Sequence, residues 1–314
     1  MKAIIVFALV IGAGLFQQPA YAQAQQANGS DACIFDQIID LRVGLPSTAA
    51  RFFGEVSVTQ IVFLGERAGT PEHVKLATCI LAEKTGSRPP VLALEHVPAS
   101  AQNVLDSWRL DRSTDPSDFA TTVEWDALGR GDFAPYAPLI EGAIAARAHV
   151  IATDTPLPGR DGPSFEALIE VAPAYGLQTD EIVEAMIPDV IARQCELIDE
   201  DAARRLALAH MERDRIMAGR LIAGRGRGPS SLFLAARSHV RMDRSVPYLI
   251  ARTDRPPSML TVAAFTEDEW AALLEEGSAR DQGLNMAFDV VVIAGQSDQT
   301  EEERCADLRA VLGG

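Results

Sequence analysis

Short apolar, β-branched-rich runs recur along this chain with helical patterns between them, and that alternation limits its fold more than any other feature. The runs are QIVFLGE (60–66), PVLALEH (90–96), HVIATDT (149–155), SLFLAARSH (231–239), MLTVAAF (259–265) and DVVVIAG (289–295). Several are almost unbroken hydrophobic stretches, as strands covered on both faces are. Between them, PEHVKLATCILAEKTG opens with Pro71 in a first helical turn and closes at Gly86, with Val74, Ala77 and Leu81 at helical spacing. APYAPLIEGAIAARA (134–148) reads as a second helix. Strands alternating with helices predict an α/β fold, a mostly parallel central sheet flanked by helices. Two stretches depart from the alternation, about 99–133 and 164–223, and predict helical insertions, the second a helical subdomain beside the sheet.

The amino terminus has its own pattern. Lys2 precedes the apolar run AIIVFALVIGAGLF, and Ala20-Tyr21-Ala22 follows as a small-x-small site. This predicts a secretory signal peptide over residues 1–22 and a mature domain over about 30–314. The apolar run is short for a membrane span and no second one follows, so no stable span is expected after cleavage. The location implied is periplasmic or secreted. The formal net charge of −16 disfavours nucleic acid as a partner, because phosphate attraction needs a net basic face. Cys33, Cys79, Cys195 and Cys305 make an even set without zinc-finger spacing, which in an exported chain favours disulfides. Of the pairings open to them, Cys33–Cys79 and Cys195–Cys305 are favoured here, since each would tie a peripheral segment to the body. Buried free thiols are the other reading.

Ligands of open parallel sheets bind beyond the carboxyl ends of the strands. Here the first strand ends in Glu66, the second in Glu95 with His96, the third in Asp154 and the fourth in His239, while His73 falls on the first turn of the helix after Glu66. One strand-end carboxylate alone is best read as a helix cap or a loop acceptor. Four polar strand ends together predict a site, because buried carboxylates need partners and imidazoles beside them suit metal binding or proton transfer.

The same segments resemble the ChaN-like haem-binding uptake proteins of the Tiki and erythromycin-esterase superfamily, over roughly Ser57 to Ile293. LGERAGTPEHV stands where that family has Leu-Gly-Glu-x-His and further histidines. VLALEHVPASAQNVLDSW carries its strand-end Glu, Gln and Trp. YAPLIEGAIAARAHVIATDTP, RDRIMAGRL and LFLAARSHVRMDRSVPYL follow in the family order. It departs from the family pattern at Ala68, which replaces the signature histidine, at Gly69, which replaces the aspartate after it, at Asp154, which replaces an asparagine, and at Ala236-Arg237-Ser238, which replace the glycine-rich turn before His239.

The resemblance implies a cleft at the sheet edge that takes haem or a related small-molecule ligand, with a link to iron uptake. Glu66, His73, Glu95 and His239 would be its reactive groups. Tyr136, Asp154, Arg237, Arg241 and His96 would support the cofactor. It equally implies a second reading, a hydrolase in which carboxylate and histidine activate water directly or through a divalent metal. A third is a decayed site whose surface serves another partner. His96 replaces the missing imidazole at 68 only if its strand has ended at Glu95, since neighbours on a strand face opposite ways. His149 reads as structural, His210 as a surface residue of a charged helix, and GRGRG (224–228) as a helix-terminating turn. No Gly-x-Ser-x-Gly elbow or Gly-x-Gly-x-x-Gly loop is present.

Overall fold

The computed structural model describes residues 33–35, 37–110, 115–155 and 179–312. The expected signal peptide and the start of the second helical insertion lie outside them. The chain divides into two units, Met1–Ile34 and Phe35–Gly314, and every element below belongs to the second.

In chain order the elements are β1 (Gln37–Asp40), β2 (Leu45–Pro46), α1 (Ala49–Val58), β3 (Ile61–Glu66), α2 (Pro71–Lys84), β4 (Val91–Pro98), α3 (Gln102–Leu110), α4 (Pro116–Thr122), α5 (Ala137–Ala145) and β5 (His149–Asp154). Then come α6 (Thr179–Arg193), α7 (Glu200–Gly224), β6 (Ser231–Ala236), α8 (Val246–Ala251), β7 (Met259–Phe265), α9 (Glu267–Glu275), α10 (Leu284–Ala287), β8 (Val290–Ile293) and α11 (Glu301–Leu312). Helix starts follow their sequences. Thr48 and Asp199 accept N–H bonds from Arg51 and Ala202 as N-caps, Pro71 opens α2, and Thr266 with Glu269 closes a capping box on α9.

One eight-stranded sheet runs in the order β2-β1-β8-β7-β3-β6-β4-β5. From β8 to β5 all pairs are parallel, while β1 pairs antiparallel with both β2 and β8. The mostly parallel α/β architecture expected from the alternation is therefore the one that forms. The short β1–β2 hairpin was not foreseen; it extends the β8 edge. Edge strand β5 is covered by the amide of Gln102, which donates to the Val150 carbonyl at 3.1 Å and accepts from Ala152 N–H at 3.0 Å. That glutamine of the family pattern thus pairs with backbone.

Two apolar layers sandwich the sheet. Val62, Leu64, Leu92, Leu94, Leu232 and Leu234 face α2 and α5; Phe63, Ala93, Phe233 and Ala263 face the other way, toward Met217 and Leu221 of α7. A third cluster joins α6 to α7 through Val183, Ile187, Ala207 and Met211.

Register decides which way the strand ends point. Leu64, Leu234 and Leu94 are aligned across β3, β6 and β4. Glu66 and His96 lie two residues past that row and share its face; Glu95 lies one past it and points to the other.

The strand expected to reach His239 stops at Ala236, and Arg237–His239 is a 3-10 turn. The cause is Glu95, whose carboxylate takes the Ala236 N–H at 2.7 Å where a ladder bond would otherwise form. The turn then crosses Gly65. A Cβ there would stand 2.5 Å from a Val240 methyl and 2.8 Å from Arg237 Cα. Gly65→Ala should therefore cost about 1–3 kcal/mol through overpacking, read as a lowered urea midpoint; an unchanged midpoint would show that the turn is free to lift.

Candidate functional site

The strand-end side chains collect at one edge of the sheet but divide between its faces. On the α2–α5 face, Glu66 Oε1 lies 2.7 Å from His96 Nε2 and accepts the Tyr136 hydroxyl at 3.0 Å. That hydroxyl also sits 3.1 Å from His96 Nε2 and accepts the Gly69 N–H at 2.9 Å. All donors are satisfied when Nε2–H and the phenol both donate to the Glu66 carboxylate. His96 Nδ1 and Glu66 Oε2 are then left buried without hydrogen-bond partners. Trp125 stacks on the His96 ring at 5.8 Å and 17°, with Tyr136 and Phe133 around it. Burial, and then the Glu66 charge beside it, raise the Tyr136 phenol well above its ordinary pKa.

On the opposite face Glu95 meets α7. Arg213 bridges Glu95 Oε1 at 2.9 Å and Asp154 Oδ1 at 2.6 Å, and Arg130 pairs with the other Asp154 oxygen. His239 Nε2 is 3.4 Å from Glu95 Oε1, and its Nδ1 is 2.5 Å from Asp214 Oδ1. His210 lies flat on His239, ring centres 3.9 Å apart and 5° from parallel. Its Nε2 reaches the Ser238 carbonyl at 3.3 Å and Asp214 Oδ2 at 3.5 Å. Burial first, then neighbouring cations and, for His210, His239, push both imidazoles well below their usual pKa; burial pushes Asp214 well above its own.

His73 belongs to neither group. It is fully buried, accepts the Arg67 N–H on Nδ1 at 3.0 Å, and is lowered to about 4 by burial and then by Arg237. Arg237 itself pairs with Glu269 through two bonds of 2.6 Å, Arg241 with Asp243, and Arg244 with Asp189. None of these three meets the strand-end carboxylates. Arg213 and Arg130, which the sequence reading passed over, do that instead.

His210 is a correction: it is not a surface residue of α7, its side chain being 12% exposed and stacked on His239. The spacing His210-x-x-x-Asp214 was the available signal, since residues four apart share a helix face. β4 does not end at Glu95 but runs to Pro98, and His96 approaches Glu66 from it. At the far end of the strands, His149 lies 3.3 Å from Arg109, and the GRGRG segment ends α7 in a 3-10 turn, as expected.

Two groups of described residues bring three metal-capable side chains together: His210 with Asp214 and His239, and Cys195 with Glu301 and Cys305. In the second the sulfurs are joined in the expected Cys195–Cys305 disulfide, and all four cysteines are oxidised.

A family model, that of haem-binding uptake proteins of the Tiki superfamily, ChaN, matches residues 52–250. The chain belongs to this family. ChaN of Campylobacter jejuni, solved with cofacially bound haem, superposes with a TM-score of 0.63 at 16% identity, covering 82% of this chain and 96% of its own. That likeness establishes the shared fold. Weaker likenesses are to the type III effector HopBA1 (TM-score 0.42, 16% identity, 78% of this chain and 92% of that one) and to an erythromycin esterase mutant, EreC, in its open conformation (0.44, 12%, 84% and 98%). Curated proteins give no match.

Proposed function

We propose that this chain binds haem at the carboxyl edge of the sheet, on the face of Glu66, His96, Tyr136 and Trp125, and serves uptake of haem iron outside the cytoplasm. The observation that carries the reading is His96. Its Nε2 is held by Glu66 while its Nδ1 is buried and unpartnered. An imidazole whose far nitrogen donates to a carboxylate is oriented and made a better donor, the usual support of a metal-ligating histidine. Ala68 leaves the Glu66 signature without its histidine, and His96 brings an imidazole to the same carboxylate from the neighbouring segment of the edge.

The donor set fits haem. A nitrogen lone pair is available, and Trp125, Phe133 and Tyr136 offer aromatic surface for an apolar macrocycle. Tyr136 fits poorly as an iron ligand, because its phenol is held protonated by burial and Glu66. It acts instead as the strut that fixes Glu66. His96 would hold the haem iron through Nδ1, and haem, when bound, would supply the iron that is carried. The chain would hold and orient it and exclude water. Because His96 is 6% exposed, the turn carrying Trp125, flanked by left-handed Glu124 and Gly129, must lift to admit it.

Family membership over residues 52–250 supports the ligand class. Export is supported by the leader pattern and by the oxidised cysteines, which persist outside the reducing cytoplasm. Among the described residues no helix is long and apolar enough to cross a membrane.

Titration of the mature protein with haemin should give a saturable Soret shift. His96→Ala should abolish the saturable phase, and Tyr136→Phe should keep it. A change that never saturates, or the same spectrum in His96→Ala, would remove the proposal.

A further inference from the structure

We propose that a cavity at the amino ends of β3 and β6 binds a phosphate dianion, either free or carried as a monoester on a small molecule. It lies at the other end of the strands from Glu66 and His96, so it does not rest on the haem reading.

Three segments build the cavity. Gln60 and Ile61 enter β3, Arg88 and Pro89 precede β4, and the Arg225–Arg227 turn leads through Gly228 and Pro229 to Ser231, the first residue of β6. Ile61 and Ser231 are level across the β3–β6 pair. The volume is about 470 Å3, within the range of small-molecule sites. Gly228 holds the segments together. A Cβ there would stand 2.6 Å from the Pro89 carbonyl oxygen and 3.2 Å from a Val91 methyl, so glycine lets the turn press on the segment that carries Arg88. This close approach sets Arg88, Arg225 and Arg227 around one space, in a chain whose net charge is −16.

The lining offers donors without matching acceptors. Arg227 is paired with Asp106 through bonds of 2.6 and 3.3 Å. Among the described residues no carboxylate pairs with Arg88 or Arg225, and Arg225 uses only Nη1, on the Arg255 carbonyl at 3.2 Å. Gln60 accepts the Ser258 N–H on Oε1 at 3.0 Å, which leaves its amide N–H groups without a partner among the described residues. Ser231 is 4% exposed and lines the cavity, and its hydroxyl has no hydrogen-bond partner among those residues either. A buried hydroxyl in that position is costly until something completes it. Helix ends attract cations, and Arg225 alone would serve the end of α7. Arg88 lies four residues beyond α2, whose last-turn cation is Lys84.

Two unpaired guanidinium forks, an amide and a hydroxyl present more donors than the roughly four lone-pair sites of one carboxylate can take. A phosphate group brings three strong acceptor oxygens and a charge of about −1.5 to −2, which matches the two unpaired arginines. Arginine forks engage such oxygens in pairs. The rest of the volume leaves room for a small organic group on the fourth oxygen.

The experiment is calorimetric titration of the full mature chain with inorganic phosphate, glycerol 3-phosphate and succinate. Both phosphates should bind saturably, one per chain, and at least tenfold more tightly than succinate. Glycerol 3-phosphate binding the tighter of the two assigns the site to a monoester; equal binding assigns it to free phosphate. Arg88→Gln and Arg225→Gln should each weaken phosphate binding at least tenfold, and Ser231→Ala severalfold. The two arginines are not in the core, so unchanged circular dichroism is expected of both glutamine variants. No saturable phosphate binding, succinate bound as tightly as phosphate, or wild-type affinity in the Arg88→Gln/Arg225→Gln double variant would overturn the site. Haemin titration of that double variant should match wild type, so loss of the phosphate site and loss of the haem reading are told apart.

Discussion

Replacing Arg213 by methionine will lower the unfolding free energy by about 3–5 kcal/mol, the range for breaking a buried ion pair from one side. The Arg213 side chain is only 12% exposed, and it is the bond that joins Glu95 to Asp154. Burial opposes its charge, but the two carboxylates outweigh that and raise its pKa. Without it Asp154 retains Arg130. Among the described residues Glu95 retains the Ala236 N–H and the distant His239, so it carries most of the penalty. The cost should therefore shrink when Glu95→Gln is added, because the unpaired charge disappears with it. Urea unfolding of the two single variants and the double variant measures this. A loss below about 1 kcal/mol, typical of exposed pairs, would mean that water reaches the network.

The same residue shows what could be read from the sequence and what could not. Fold class was legible because IVFLGE and VLALEH are covered on both faces, so almost every residue must be apolar and the run announces itself. QIID and LP carry no such signal; two short strands at an edge look like loop, and only pairing with β8 reveals them. The polar strand ends were equally legible as a set, since each interrupts an apolar run. Their division between faces was not. It depends on Leu64, Leu234 and Leu94 being level, and a shift of one residue in either neighbour would exchange Glu95 with His96.

Arg213 and His210 were missed for a different reason. α7 is rich in charge along its whole length, and a charged helix reads as solvated. The helix is instead clamped over the sheet by Met217, Ala218 and Leu221, which places Arg213, Asp214 and His210 over the strand ends. Burial then converts ordinary surface groups into costly ones, and they survive there only as a connected network. Arg237 went the other way. Expected to support the cofactor, it is taken instead by Glu269 of the capping box, with Phe265 beneath the guanidinium at 4.3 Å.

The buried histidines lead to the second large effect, an acid lability set in the core. His73 is lowered from 6.5 to about 4 by burial and then by Arg237. A depressed histidine binds its proton less readily in the folded chain than in the unfolded one. Its contribution is therefore fully present above pH 6.5 and is withdrawn as the pH falls toward 4. A shift of that size corresponds to about 3 kcal/mol. His210 and His239 are lowered in the same direction and add to the loss, whereas Asp214, raised by burial, gains stability as acid protonates it. Because Asp214 and His239 are hydrogen-bonded, their contributions partly cancel, so His73 is the clean probe. Glu269 stays ionised to about 2, since Arg237 outweighs its burial; its own loss begins as the unfolded carboxylate protonates near pH 4.5 and is common to both proteins. Urea unfolding from pH 7 to 4 should thus show wild type losing about 3 kcal/mol more than His73→Gln, whose amide can still accept the Arg67 N–H. Parallel curves for the two proteins would mean that His73 is already protonated in the fold, with Glu269 or the Phe265 backbone holding the charge against burial.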